Sequence, residues 1–270
     1  MKLSGLLLFA FLAVLVPALM AIGANFVAPY DPVSQDIIAR LRGPMATHWL
    51  GTDQLGRDVL SRILYGSRAS LLVAVGSVGS ALLLGGGLGL LAAYYRGWFE
   101  RIVMRLMDIL FAFPVMLLAI GVVAVLGPGA VTAAIAIAVV YTPIFARLLR
   151  GPALVICDAD YVAGARASGA TDARILLIHV LPNLLGVILV QTSLLLSSAI
   201  LVEASLSFLG LGTQPPNPSL GLMLAEGRNV LLLSPWGALF AGVAILVLAF
   251  GLNLLGDALR DRLDPRLREL

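Results

Sequence analysis

Cysteine is nearly absent from this 270-residue sequence: Cys157 stands alone, so no internal disulfide can form. The two histidines, His48 and His179, fall in different segments and make no metal-ligand spacing. Charge is thin, with 12% Asp, Glu, Lys and Arg against 60% hydrophobic residues and a mean hydropathy of +1.01. That composition excludes an ordinary soluble core and fits a polytopic membrane protein. The net charge of +3 is carried almost wholly by arginine, with acids close beside the basic residues, which says little about nucleic acid and gives no reason to expect it as a partner. Glycines crowd one apolar segment, yet no Gly-Lys-Ser/Thr follows them, so a phosphate-binding loop is excluded.

What the sequence does have is a series of long apolar runs, expected to be six membrane spans in an all-α fold. Residues 3–26 form a nearly uncharged run long enough to cross with some tilt. It is too long for the apolar part of a signal peptide, and no clean A-x-A site closes it, so a retained span is expected. Further spans are expected over residues 70–95, 102–126, 130–149, 184–209 and 236–255. The second carries Gly85 and Gly89, a small-xxx-small pair suited to close helix packing. Pro114 is expected to kink the third, and Trp236 to anchor the sixth at the interface. The organisation expected is a first span with a polar outer segment (1–69), a five-helix core (70–256) with a cytoplasmic loop at 151–183, and a charged tail (257–270).

Polar residues within the spans are candidates for a translocation pathway. Asp108 lies about two turns into the third span near Arg105, either as a pathway residue or as an interfacial acid paired with arginine. Gln191, Ser198 and Ser205 are spaced seven apart and share one helix face, with Glu203 expected one stripe over. Such a face either lines an aqueous path or hydrogen-bonds to neighbouring helices. We favour the path, because Glu203 is costly to bury without water or a partner.

The connections carry more specific wording. Residues 48–68 read HWLGTDQLGRDVLSRILYGSR: Gly51-Thr52-Asp53 reads as a turn, and Asp58 as the start of an amphipathic helix lying against the membrane or a partner, with Val59, Leu60, Ile63 and Leu64 on one face. Residues 161–183 read YVAGARASGATDARILLIHVLPN, too polar for a bilayer and dominated early by small residues: Ala163, Gly164, Ala165, Ala167, Ser168, Gly169 and Ala170. A small-residue surface lets another backbone approach closely. Gly169 suits the left-handed end of a short helix, and Thr171 or Asp172 the cap of a second one running to Val180.

This loop resembles the EAA loop of ABC importer permeases. Ala163-Gly164-Ala165 takes the EAA position, Gly169 the glycine and Leu181-Pro182 the end, with Ala163 where the family has glutamate. Residues 48–68, the stretch SFLGLGTQPPNPSLG and the tail LLGDALRDRLDPRLREL resemble the permeases of the dipeptide, oligopeptide and nickel importer group, although Leu220 stands where that group has tryptophan. The resemblance implies the type I ABC importer permease fold and a subunit that pairs with a homologous permease as a heterodimer. It further implies two ATPase subunits or domains, which bind the ATP and magnesium, and an extracytoplasmic substrate-binding protein. No cofactor or metal is expected in this chain, and no catalytic site. Residues 163–169, with Arg166 facing an ATPase carboxylate, would couple ATP hydrolysis to transport. Di- or oligopeptides are the expected cargo, with a nickel chelate or glutathione as alternatives; an ion-coupled secondary transporter is the alternative of another class.

Arginine placement orients the chain. Lys2, Arg96, Arg101, Arg105, Arg147, Arg150, Arg166, Arg174 and the tail arginines fall on one set of connections, and Arg40, Arg42, Arg57, Arg62, Arg68 and Arg228 on the other. The richer set is expected inside, which places both termini and the 161–183 loop in the cytoplasm of a bacterial inner-membrane protein.

Overall fold

Asp58 starts the first long helix of the computed structural model, which describes residue 12 and residues 15–263. Its carboxylate accepts the Ser61 N–H at 2.8 Å, an N-cap that satisfies one of the orphan donors of the first turn. In chain order the helices are α1 (Ala24–Val27), α2 (Val59–Tyr95), α3 (Gly97–Phe111), α4 (Val115–Leu126), α5 (Ala130–Cys157), α6 (Asp160–Ala167), α7 (Asp172–Phe208), α8 (Leu220–Arg228) and α9 (Trp236–Leu263). Among the described residues there is no strand, only an isolated bridge between Thr52 and Asp58.

Among the described residues four helices, α2, α5, α7 and α9, are long and apolar enough to cross a membrane, and the bent pair α3–α4 makes a fifth candidate. The first expected span, residues 3–26, lies outside the described residues in its first half, residue 12 apart; in its second half residues 15–22 and Ala24–Val27 are helical on either side of a turn at Gly23. The helix that starts at Asp58 is not a separate amphipathic element. It runs on without a break into the second span, because nothing between Val59 and Tyr95 stops it. At 37 residues, α2 and α7 are each about 55 Å long, well beyond the roughly 30 Å that a bilayer core requires.

The third expected span departs most from a simple kink. Helices α3 and α4 meet at 94°. Pro114 has no N–H to continue the ladder and its ring disfavours helical backbone at Phe113, so α3 ends and α4 restarts in a new direction. Pro182 acts differently. Leu181-Pro182 does not end a helix: the preceding residues Ile175–Val180 widen into a π-turn, with the Leu181 N–H bonding to the Leu176 carbonyl, and the helix continues. The wider turn accommodates a ring that a regular turn would exclude. The connection expected over 210–235 also holds a helix, α8, capped by the Ser219 hydroxyl accepting the Leu222 N–H at 3.2 Å.

Helix α5 is central. Ile137, Tyr141 and Phe145 are buried in a cluster with Val73, Ala74 and Val78 of α2, Ala119 and Val123 of α4, and Leu195, Ala199 and Ile200 of α7. In lipid, apolar surface gives helices little reason to associate, so close approach matters more. Gly85 and Gly89 supply it as expected: a Cβ at either would overlap the backbone of Thr142 or Ala146.

Candidate coupling site and translocation face

Helix α6 stands off the end of the bundle that carries most of the arginines. Val162 is its only buried residue, packed with Leu149 and Ala153 of α5 and Ile175 and Leu176 of α7. Ala163, Gly164, Arg166, Ala167, Ser168 and Gly169 are exposed and Ala165 is half-buried. A side chain at Gly164 or Gly169 would meet no atom of this chain within 4 Å. Packing inside the protein therefore does not require glycine at 164, and at 169 only the backbone conformation does.

The joint after α6 is well defined. Gly169 adopts φ +82°, the left-handed conformation expected of it. The Gly169 N–H bonds to the Arg166 carbonyl at 3.0 Å and the Ala170 N–H to the Ala165 carbonyl at 3.1 Å, the pair of bonds that defines a Schellman turn. The Thr171 hydroxyl then accepts the Arg174 N–H and starts α7.

Contacts that sequence patterning did not indicate hold this loop to the end of α2. Tyr94 donates its hydroxyl to Asp172 Oδ1 at 2.6 Å, and Tyr95 to Oδ2 at 3.2 Å. Arg166 lies 5.2 Å from the centre of the Tyr94 ring, so it is partly occupied within the chain rather than wholly turned to a partner. Arg96 donates to Asp158 at 2.6 Å between α5 and α6, and that carboxylate holds the guanidinium above its ordinary pKa.

The structure separates the four candidate pathway residues. Gln191 is half-buried and lines an open cleft of about 510 Å³ with Leu148, Asn183, Val190, Leu194 and Arg260. Ser198 is exposed on the same face. Glu203 is not one stripe over. At about 100° per residue it lies roughly 140° around the helix from Ser198, and it is fully buried. Its carboxylate accepts the hydroxyls of Ser70 at 2.6 Å and Ser207 at 2.7 Å, a tie between α2 and α7. Asp108 pairs not with Arg105 but with Arg147 of α5 at 2.6 Å, and both are substantially exposed. That guanidinium also sits 4.3 Å from the Phe111 ring centre. With Glu100, Arg101, Met104 and Arg150 they line an open cleft of about 580 Å³.

At the opposite end of α2 lies a second cluster. Arg57 and Arg62, 4% and 1% exposed, share the carboxylates of Asp53 and Glu226. Arg57 reaches Asp53 at 2.6 Å and Glu226 at 3.0 Å, and Arg62 reaches Glu226 at 2.8 Å. Beside it, His48 lies 2.9 Å from Asp58. Asp53 and Arg57 lie in a non-helical turn, where four-residue spacing does not by itself predict contact, and neither that pair nor the pairing with Glu226 was visible in the sequence.

Residues 85–269 match the family described as "Binding-protein-dependent transport system inner membrane component". The chain is 47% identical over 258 residues to the glutathione transport system permease protein GsiD of Pectobacterium atrosepticum, covering 95% of this chain and 86% of that protein. It is 46% identical over 229 residues to the dipeptide transport system permease protein DppC of Alkalihalophilus pseudofirmus, covering 85% and 75%. Among solved structures, a chain of the MetNI methionine ABC transporter in inward-facing conformations superposes with a TM-score of 0.61 at 18% identity, covering 76% of this chain and 97% of that one. At that identity the likeness concerns the fold, which is that of a type I ABC permease.

Proposed function

The chain belongs to the binding-protein-dependent transport system inner membrane component family, and on that premise we propose that it imports short peptides as one of two paired permease subunits driven by separate ATPases. Family membership displaces the ion-coupled alternative. The substrate class follows the names of the relatives, which transport dipeptides or glutathione. Glutathione is itself a tripeptide, so both fall within one chemistry.

The observation that carries the coupling reading is the bare surface of α6. Gly164 leaves room that no part of this chain fills, and Ala163 and Ala167 are exposed beside it, at the arginine-rich end where the inner side is expected. An ATPase groove is the partner such a helix fits, with ATP and magnesium held by that partner. An extracytoplasmic binding protein would deliver the peptide to the opposite end. Movement of α6 reaches α7 through the Schellman turn, and α7 carries Gln191 and Ser198 past the cleft. Rocking of these helices moves the opening from one side to the other. Glu203 joins this scheme as a strut between helices and not as part of the path; Asp108 and Arg147 belong to the inner rim.

Orientation and docking are tested together in a Cys157→Ser background. Asn217→Cys, in the loop before α8, reacts with an impermeant maleimide added outside, whereas Ala173→Cys reacts only after the membrane is opened. Ala163→Cys cross-links to the ATPase subunit. Reversed labelling overturns the orientation, and absence of any cross-link along residues 160–167 overturns the docking role.

A further inference from the structure

We propose that Tyr94, Tyr95 and Asp172 form a positioning clamp that makes α2 move with α7 when the ATPases displace α6. This rests on the reading of α6 as the docking helix and adds the route by which its displacement spreads beyond the helix it is joined to.

The clamp is bidentate. The last two residues of α2 direct adjacent phenol hydroxyls at the two oxygens of one carboxylate, at 2.6 and 3.2 Å. Hydrogen bonds to an ionised acceptor are the stronger kind, and a two-point grip fixes orientation as well as distance. Asp172 is the first residue of α7, and its charge at a helix N-terminus is favourable in its own right. Arg96, immediately after the tyrosines, grips Asp158 on the other side of α6. The end of α2 therefore holds both the entry to α6 and the exit from it.

Near their far ends the same two helices meet again, where Glu203 of α7 accepts the Ser70 hydroxyl of α2. Residues 70 and 94 are roughly 36 Å apart along α2 by helical rise. Two ties at that separation leave α2 and α7 little freedom to tilt independently. Helix α2 in turn is keyed to α5 through the Gly85 and Gly89 contacts with the Thr142 and Ala146 backbone. A displacement of α6 then moves three helices, although it is covalently continuous with only one long helix on its exit side.

The test uses the assembled transporter in proteoliposomes, with its ATPases and binding protein, and glutathione and dialanine supplied in parallel. The double variant Tyr94→Phe/Tyr95→Phe keeps both rings, including the one beneath Arg166, and removes only the hydroxyls. Uptake per ATP hydrolysed falls about fivefold or more, while substrate-stimulated hydrolysis stays within about twofold of the unmodified protein. Asp172→Asn, which still accepts from one phenol and donates to the other, retains most of the coupling; Asp172→Leu does not. An unchanged ratio of uptake to hydrolysis in the double variant overturns the clamp. The Ala163→Cys cross-link separates the two levels. Present in both backgrounds with an unchanged ratio, it leaves docking standing and removes the clamp. Absent from both, it removes the docking reading itself. Lost only in the double variant, it shows that the bonds maintain the docking surface and also counts against transmission through α2.

Discussion

Gly164 sits in the interior of α6 with helical neighbours on both sides, and a Cβ built there meets nothing within 4 Å. For the isolated chain this residue is a liability. Glycine within a helix is less stable than alanine by about 0.8–1 kcal/mol, because it gives up more backbone freedom on folding. No clash offsets the gain, so Gly164→Ala stabilises α6 by about that amount. The measurable consequence is slower amide exchange across residues 160–167, by about fivefold when the gain is about 1 kcal/mol. Docking is expected to respond in the opposite direction: if an ATPase backbone approaches the glycine, the added methyl separates the two surfaces and weakens association. Gly164→Leu widens the gap and weakens it further, without harming the free subunit. Hydrogen exchange on the permease alone, paired with co-purification of the ATPase, measures both arms. Slower exchange with undiminished ATPase association for both variants would refute the idea that this surface is kept bare for a partner.

Glu226→Ala leaves Arg57 and Arg62 buried with Asp53 as their remaining shared acid; loss of one member of a buried ion pair costs about 3–5 kcal/mol, and the retained Asp53 puts the effect near the lower bound, read as a fall in detergent thermostability. Glu203→Leu strands the buried Ser70 hydroxyl and takes the acceptor from Ser207, whose oxygen still accepts the Thr213 N–H, at a cost of about 1–3 kcal/mol, whereas Glu203→Gln, which keeps polar partners for both, is milder; equal thermostability losses would contradict the strut. Gly85→Val forces α2 away from the Thr142 backbone and lowers thermostability by at least about 1–3 kcal/mol, while Gly76→Val, facing open space, does not.

Local chemistry was legible wherever one residue type decides the outcome. Gly169 could be read as a left-handed helix end because few other residues adopt that backbone cheaply, and Asp58 as a cap because its side chain matches the orphan N–H groups beyond it. Gly85 and Gly89 announced close packing through their spacing, though not which helix they meet. What the sequence did not disclose depends on two distant segments. The partners of Glu203 are 133 residues away and next to it in the helix, and only the first fixes which way it points. Asp108 chose Arg147 over the nearer Arg105 because α5 packs beside α3. Pro114 and Pro182 look alike in sequence, yet one turns the chain by 94° and the other is absorbed by a π-turn. That choice depends on what the surrounding helices can hold in place.

The ion-pair quartet also carries information about time. Glu226 is 169 residues from Arg57 and 164 from Arg62 along the chain. At translation rates of about 5–20 residues per second, the two arginines wait roughly 10–30 s before their second acid is synthesised. Throughout that interval Asp53 is the only one of the quartet's two acids that has been made. Closure of the quartet thus marks a nascent subunit whose α5 and α7 have already been made and whose α8 has come back against the start of α2.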